Sequence, residues 1–337
     1  MTDWLKLSDS DRLISLQQAN ARSGISMKAI EKDWWVTLIL KVVFATKYAN
    51  YLQFKGGTSL NKCWGLIQRF SEDVDLSIER DFLGFPEVIS KSQVKRLKKA
   101  AAEFTSTDFK EEVESQIIKI GVPEGMVIIV ADPIPEIMPD IDPQTIRINY
   151  PSLLDTVPYI ADSVKIEVSA RSLKEPGVER PINSMLGEYM SGLPWSGTPF
   201  NVSSVQPKRT FLEKIFLLHE EFLKPVSKIN FHRMSRHIYD IERMIDTEYA
   251  IEALSNLEYY NSIVLHRRKF IFKSGVDYDT LYPKRISFLP PKEVHDDYEN
   301  DYNQMKEQMI YGEEIRGFER LINRLTNLQN RVRKLSN

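Results

Sequence analysis

Two aspartates, Asp73 and Asp75, are the residues whose type and spacing point most directly to chemistry. They alternate with the apolar residues Val74, Leu76 and Ile78. Alternate residues of a β-strand point to opposite faces, so both carboxylates should lie on one face, a few ångströms apart. Carboxylates that close repel each other unless a cation lies between them. Mg²⁺ accepts such oxygen ligands together with substrate phosphates, and two such ions can hold the attacking and leaving oxygens of a displacement.

A glycine turn precedes the aspartates. Gly56 and Gly57 follow a short strand predicted over residues 51–54, and a helix is predicted over residues 58–68 with Thr58 as its cap. Free N–H groups and the dipole at a helix N-terminus favour phosphate oxygens, so this turn, with Ser59, is predicted to bind nucleotide phosphates. A lone Asp-x-Asp is usually a solvated strand face, and a lone Gly-Gly-Thr is usually a turn. Together, separated by one helix, they favour an NTP–Mg²⁺ site.

A third acid on another strand would complete such a site. Residues 164–169 alternate in the same way, with Glu167 and Lys165 on the polar face. Glu167 is therefore a candidate metal ligand, and Lys165 could neutralise phosphate charge. An ordinary surface position for Glu167 is a nearly equal alternative from the pattern alone.

The elements that must position these residues are helices and strands in the N-terminal part of the chain and helices in the C-terminal part. Apolar residues at four-residue steps predict a buried helix over residues 26–48. The expected fold class is α+β, with one domain at 1–205 and a helical domain at 206–337 that completes the NTP cleft. The other predicted elements are helices at 8–21, 93–119, 209–223, 231–246, 249–271 and 302–335 and strands at 126–130 and 145–150, with loops over 175–206.

Composition excludes few function classes. The 337 residues carry a formal net charge of −2, so there is no overall basic character of the kind found in proteins that coat nucleic acid, although a local basic groove stays possible. Cys63 is the single cysteine, so no intramolecular disulfide can form. No apolar run approaches the roughly 20 residues of a membrane span, and the first residues lack a signal-peptide pattern. We therefore expect a cytoplasmic protein without a membrane partner.

The array of Gly56–Ser59, Arg69–Ser71 and Asp73–Asp75 resembles the DNA polymerase β-like nucleotidyltransferase superfamily. It is most similar to the AbiEii/AbiGii toxin family, whose members also carry a helix like Glu31–Val36 (Glu-Lys-Asp-Trp-Trp-Val). The resemblance covers about residues 26–270. It implies a nucleotidyltransferase-fold mixed sheet with flanking helices, and the toxin of a bacterial toxin–antitoxin or abortive-infection system, with a cognate antitoxin protein.

Three later stretches resemble further motifs of that family. Lys165–Glu167 is similar to the second motif, and Glu213–Lys214 to the third, whose lysine is expected to meet the NTP phosphates. Residues 236–240 are similar to the fourth, so Asp240 is expected to be needed for catalysis. His237 departs from the pattern, since many members have an acidic residue there, and its role is open.

Each of these later residues also has a simpler interpretation. Lys214 could be a surface lysine whose stem packs on apolar neighbours, rather than the cation for a triphosphate. Asp240 lies four residues after Arg236 on a predicted helix, where an ion pair is the common case. The alternative to this ion pair is that Asp240 accepts a proton or positions the acceptor.

Two residues of the first motif likewise have two possible roles each. Arg69 could bind the triphosphate or form a salt bridge to Glu72, and Ser71 could contact a phosphate or cap the turn. Basic runs at 266–269, 284–285 and 331–334 are usually solvated faces, although several together could follow an RNA backbone.

The sequence thus predicts a nucleotidyltransferase that uses Mg²⁺ (or Mn²⁺) to move an NMP from an NTP to an acceptor hydroxyl. Asp73, Asp75, Lys214 and Asp240 are the predicted catalytic residues. By resemblance the acceptor is an RNA, with a tRNA 3′ end as the candidate. A protein-modifying NTP-dependent transferase and a nucleotide-binding module without catalysis are the two alternatives.

Overall fold

A computed structural model describes residues 1–87, 90–155, 160–312 and 314–335. The chain divides into two compact units. The first comprises Met1–Cys63 and Phe70–Val205, and the second comprises Trp64–Arg69 and Gln206–Asn337. The second unit therefore takes a short segment from the middle of the first motif.

The first unit is built on a mixed seven-stranded sheet with the strand order β3-β4-β5-β2-β1-β7-β6. Together with a helical second unit, this sheet confirms the α+β class and is consistent with a nucleotidyltransferase fold. The strands are β1 (Leu52–Lys55), β2 (Asp73–Ile78), β3 (Ile128–Ala131), β4 (Gln144–Asn149), β5 (Ser163–Ser169), β6 (Val178–Ile182) and β7 (Phe200–Ser204). Its helices are α1 (Asp9–Ser23), α2 (Met27–Val43), α3 (Gly56–Lys62), α4 (Lys91–Phe104), α5 (Lys110–Lys119) and α6 (Met185–Tyr189).

The centre of the sheet is formed by β2, which lies between β5 and β1. It runs parallel to β5 and antiparallel to β1. Its apolar residues Val74 and Leu76 are fully buried, whereas Asp73 and Asp75 are half-buried. The predicted alternation is therefore confirmed, and it leaves one polar face on the central strands.

The helix predicted over residues 26–48 is confirmed as α2, but it ends at Val43. Nearly every one of its side chains is buried, including the charged ones near its start. Trp34 packs edge-on against Trp35, with ring centroids 5.0 Å apart, and Trp35 stacks on Tyr150 at 4.8 Å. The helix is therefore part of the core and supports the sheet rather than covering it from outside.

Two predictions for the first unit are wrong. The helix expected over 58–68 begins at Gly56 and ends at Lys62, so Thr58 lies inside it and the N-cap position is Lys55. The loops expected over 175–206 contain β6, β7 and the short helix α6. β6 contains Pro181, a residue that argues against a strand when only the sequence is considered. Proline is tolerated there because β6 is the edge strand of the sheet.

The second unit is helical. The predicted helix at 249–271 is divided at Asn256, which ends one helix and accepts the capping hydrogen bond of the next from Tyr259 N. The helix predicted at 302–335 is also two helices; it included Glu313, which lies outside the described residues. The helices are α7 (Pro207–Phe222), α8 (Ser235–Met244), α9 (Glu248–Ser255), α10 (Leu257–His266), α11 (His295–Gln308) and α12 (Phe318–Arg333).

No helix within the described ranges is both long and apolar enough to cross a bilayer.

Candidate active site

The polar face of the sheet brings the predicted acids into two rows. Asp75 pairs in register with Glu167 of β5 on one side and with Lys55 of β1 on the other. Asp73 pairs with Lys165 of β5. Register partners on adjacent strands point to the same face, about 5 Å apart, so three carboxylates and two lysines share this surface.

The electrostatics of the face fit a cation site. Burial raises the pKa of Glu167 to about 7, with the carboxylates of Asp75 and Asp73 contributing in the same direction. Lys165 and Lys55 lower it only in part. Carboxylates are hard oxygen donors, the ligand type that Mg²⁺ and Mn²⁺ prefer, so the three residues fit such an ion by donor type, although one oxygen from each does not lie within 4.8 Å of the others.

The residue that follows β1, Gly56, must be a glycine for two reasons, its backbone conformation and a close contact with Asp75. Its φ of +80° is a left-handed conformation that residues with side chains rarely adopt. A Cβ placed there would lie 2.1 Å from Oδ2 of Asp75. The turn and the strand therefore fit together only because this position has no side chain.

The hydroxyl groups of the glycine turn are used within the first unit. Thr58 Oγ1 donates to the carbonyl of Asp73 at 2.6 Å and lies 2.9 Å from Ser71 Oγ. Ser59 Oγ lies 2.7 Å from Ser204 Oγ, and both are buried. Any phosphate contact from Thr58 or Ser59 would therefore come from their main-chain N–H groups.

Two buried charged residues of helix α2 contact the segments that carry the acids and the glycine turn. Lys32 Nζ lies 3.4 Å from Glu72 Oε2, one residue before Asp73, and donates to the main-chain carbonyls of Ala161 and Ser163, at the start of β5. Asp33 lies 2.5 Å from Lys62, the last residue of α3, and also accepts from the N–H of Met185.

From the sequence alone, no role was assigned to these charged residues of α2. Their alternating charge gives no periodic signal, and only their position inside an otherwise apolar helix could have indicated that they are buried. The described contacts make them positioning residues for β2, β5 and α3.

The second unit contains a buried cluster of one acid and two bases. Asp240 accepts two parallel hydrogen bonds from Arg69, at 2.7 Å from Nε and 2.7 Å from the terminal nitrogen, and its Oδ2 lies 2.8 Å from Lys214 Nζ. All three side chains are almost completely buried. The partner that the sequence suggested for Arg69 was Glu72, and the partner suggested for Asp240 was Arg236; the structure instead pairs Arg69 with Asp240.

The surroundings of this cluster fix its charges. Burial opposes ionisation of Asp240, but Arg69 and Lys214 outweigh it and hold the pKa of that carboxyl well below its usual range. Loss of solvation lowers the pKa of Lys214, against the attraction of Asp240. His237 Nδ1 lies 3.4 Å from Lys214 Nζ, and loss of solvation followed by the Lys214 charge lowers the pKa of His237. The imidazole is therefore neutral at pH 7.

Another group of potential ligands lies in the second unit, where His295, Asp296 and Glu299 begin α11. One ligand atom from each lies within 4.8 Å of the others. That is closer together than the three sheet acids, but Asp296 is exposed and the group consists of neighbours on one helix. Such groups are common on helix surfaces, and we assign it no function.

Over residues 39–324 the sequence matches the family described as nucleotidyl transferase AbiEii toxin of type IV toxin–antitoxin systems. The chain belongs to the AbiEii family. No curated protein and no solved structure matches it.

Membership of the AbiEii family confirms the resemblance seen in the sequence motifs. The family is one of nucleotidyl transferases, which supports a transferase activity, and a toxin–antitoxin system implies a cognate antitoxin. The match extends to residue 324, so it covers α11 and part of α12 and goes beyond the region near residue 270 where the motif resemblance ends.

Proposed function

We propose that this AbiEii family member transfers an NMP unit from an NTP to the hydroxyl group of an acceptor RNA, and that it requires Mg²⁺ or Mn²⁺. The acceptor we favour is a tRNA 3′ end. The observation that carries the proposal is the register of Asp75 with Glu167 beside Asp73, which aligns three carboxylates on one face of adjacent strands. Family membership supplies the reaction class.

The roles follow from the chemistry of each side chain. Asp73, Asp75 and Glu167 would hold the metal, which when bound would neutralise the triphosphate and favour in-line attack on the α-phosphate. Lys165 adds positive charge to the same face. The main-chain N–H groups of Gly57, Thr58 and Ser59 and the hydroxyl of Ser71 would contact phosphate oxygens.

Within the second unit, Lys214 and Arg69 are the cations proposed to neutralise the triphosphate. Asp240 contacts both, at 2.7–2.8 Å, and its low pKa makes it a poor proton acceptor at neutral pH. We therefore propose that Asp240 supports catalysis by orienting Lys214 and Arg69, as a positioning residue.

The metal site is tested by isosteric variants. Asp73→Asn and Asp75→Asn remove the charge at almost constant volume and are expected to reduce transfer of labelled NMP to total RNA at least 1,000-fold, an order of magnitude typical of losing an essential electrostatic group, about 4 kcal/mol. The matched control is Asp108→Asn, at an exposed position of the same unit, which should retain full activity. Full activity in both Asp73 and Asp75 variants would contradict the mechanism.

The same assay separates the alternatives. Each labelled NTP is incubated with total RNA, with purified antitoxin and with the enzyme alone, and the products are identified by mass spectrometry. Label on protein instead of RNA would favour a protein-modifying transferase. Absence of Mg²⁺–NTP binding by calorimetry would favour a module without catalysis.

A further inference from the structure

The polar face of the sheet continues beyond the metal-binding acids to an arginine that no motif includes. Arg147 of β4 pairs in register with Lys165 of β5, which pairs with Asp73 of β2. All three side chains therefore point to the same face, in a row that crosses three strands. Since adjacent strands lie about 4.8 Å apart, the Arg147 backbone is roughly 10 Å from that of Asp73.

The positive charge of Arg147 interacts with the carboxylates of the proposed metal site. Hydrogen bonding to Asp132 raises the pKa of Arg147 first, and the carboxylates of Glu167 and Asp73 add to it. The guanidinium is thus close enough to the acidic site to be influenced by two of its carboxylates. It faces the same direction and carries the opposite charge.

The row is open to solvent at its outer end. Arg147 retains 40% of its side-chain exposure, and Ile128 and Val130 of β3, on the same face, are 65% and 47% exposed. A ligand bound at the acids could therefore extend along the row toward β3.

Arg147 is held by an ion pair that a ligand could replace. It donates from Nε and from a terminal nitrogen to the two carboxylate oxygens of Asp132, at 2.6 and 2.7 Å. Both partners are about one third or more exposed, and such pairs contribute only about 0–1 kcal/mol. A phosphate beside Mg²⁺ offers the same bidentate geometry with greater charge. Two nitrogens of the guanidinium are therefore directed at a partner that a phosphate could replace.

We propose that Arg147, together with Lys165, forms a phosphate-binding row that leads from the metal site across the open face of the sheet. This proposal rests on the function proposed above and adds a ligand contact to it. The phosphate group belongs either to the triphosphate of the NTP or to the backbone of the acceptor RNA next to its reacting hydroxyl. Both present the same chemistry to a guanidinium.

Binding measurements with the full chain test the row and separate its two sources. Arg147→Ala, Arg147→Lys and Asp132→Asn are titrated with each Mg²⁺–NTP by calorimetry and with fluorescein-labelled tRNA by anisotropy at several salt concentrations. The control is Arg96→Ala, an exposed arginine of α4. Circular dichroism and thermal unfolding establish that each variant is folded, and because Arg147→Lys and Asp132→Asn are small changes, they keep the test usable if Arg147→Ala does not fold.

We expect Arg147→Ala to weaken one of the two ligands by roughly 10-fold or more, as loss of a charged hydrogen-bond pair does. If that ligand is the NTP, its calorimetric affinity falls and tRNA binding is unchanged. If it is tRNA, its affinity falls and the salt dependence decreases by about one phosphate contact. Arg147→Lys should retain part of the affinity, and Asp132→Asn should bind at least as tightly as the native chain.

Unchanged affinity of Arg147→Ala for every NTP and for tRNA would overturn the proposal and leave the pair with Asp132 as a structural contact. An equal loss in Arg96→Ala would also overturn it, because the effect would then be one of overall charge. Failure of the proposed function is recognised separately, since it requires transfer activity to survive in the Asp73 and Asp75 variants. The binding measurements do not depend on that activity.

Discussion

At the scale of single residues, the proposed site depends on how closely the glycine turn approaches β2. The Asp75 carboxylate occupies the volume that a Cβ of residue 56 would need. A substitution at Gly56 therefore carries two separate costs, the strain of a positive φ and a collision with a proposed metal ligand. Gly84 has the same backbone conformation, with φ +82°, and nothing within 4 Å of its Cβ position.

This pair allows the two costs to be measured separately. Gly84→Ala should lower the free energy of unfolding by about 1–2 kcal/mol and keep full activity, because it introduces only backbone strain. Gly56→Ala should lower transfer activity at least 100-fold, since Asp75 must move. Denaturant unfolding and the labelled-NTP assay provide the two readouts; equal activities in the two variants would show that the Asp75 position is not critical.

The shared face of the three proposed metal-binding acids could be predicted from sequence because alternation is a local signal. The strict pattern around Asp73 and Asp75 and the similar pattern around Glu167 indicated one face on each strand, and register then placed them side by side. Arg147 gave no such signal. Its strand was predicted, but only the pairing of β4 with β5 shows that it follows Lys165 in the row.

At the scale of elements, α2 differs from an ordinary core helix because it buries charges under the site. Lys32 and Asp33 contact segments that flank β2, β5 and α3, so the helix fixes the positions of the elements that carry the acids. The sequence predicted this helix well from its apolar residues. It could not show the role of the charged ones, since their partners Glu72 and Lys62 lie 40 and 29 residues further along.

Removing one buried charge should therefore destabilise the first unit. Lys32→Met removes the ammonium group beside Glu72 and one donor to each of two main-chain carbonyls, and we expect a loss of about 3–5 kcal/mol in the free energy of unfolding. Lys41→Met makes the same change on the same helix at a half-buried position and should cost less than about 1 kcal/mol. Similar losses in both variants would show that Lys32 has no special structural role.

Edge and boundary elements were the least predictable. β6 and β7 lie at one end of the sheet, where a strand is covered on fewer sides and needs less hydrophobic alternation to be stable. The helix ends at residues 43 and 62 were also missed. Residues 64–69 come shortly after the end of α3 at Lys62, yet they belong to the second unit. There Arg69 binds Asp240, which lies 171 residues further along the chain. A pattern search has no access to such a distant partner.

At the scale of the whole molecule, stability should depend on pH through buried histidines of the second unit. Burial lowers the pKa of His219, whose Nδ1 lies 2.9 Å from both the main-chain N and the carbonyl O of Ser287 and whose Nε2 lies 2.7 Å from Thr280 Oγ1. In the unfolded chain the imidazole regains a pKa near 6.5. Below that pH the unfolded state binds the extra proton, so the stability that His219 contributes is complete above about pH 6.5 and decreases as the pH falls.

The difference between the native chain and His219→Gln isolates this contribution. Glu167 acts in the opposite sense, because its raised pKa makes the folded state bind more protons, but it is present in both proteins and cancels. From pH 7.5 to 5.5 the native chain should lose more stability than the variant, with a difference approaching about 1.4 kcal/mol per pH unit, the limit for one proton. Denaturant unfolding at each pH measures it, and His232→Gln, at an exposed position, is the control for removing a histidine. Parallel pH profiles for the native chain and His219→Gln would mean that His219 takes up its proton equally in the folded state, which the burial of its ring argues against.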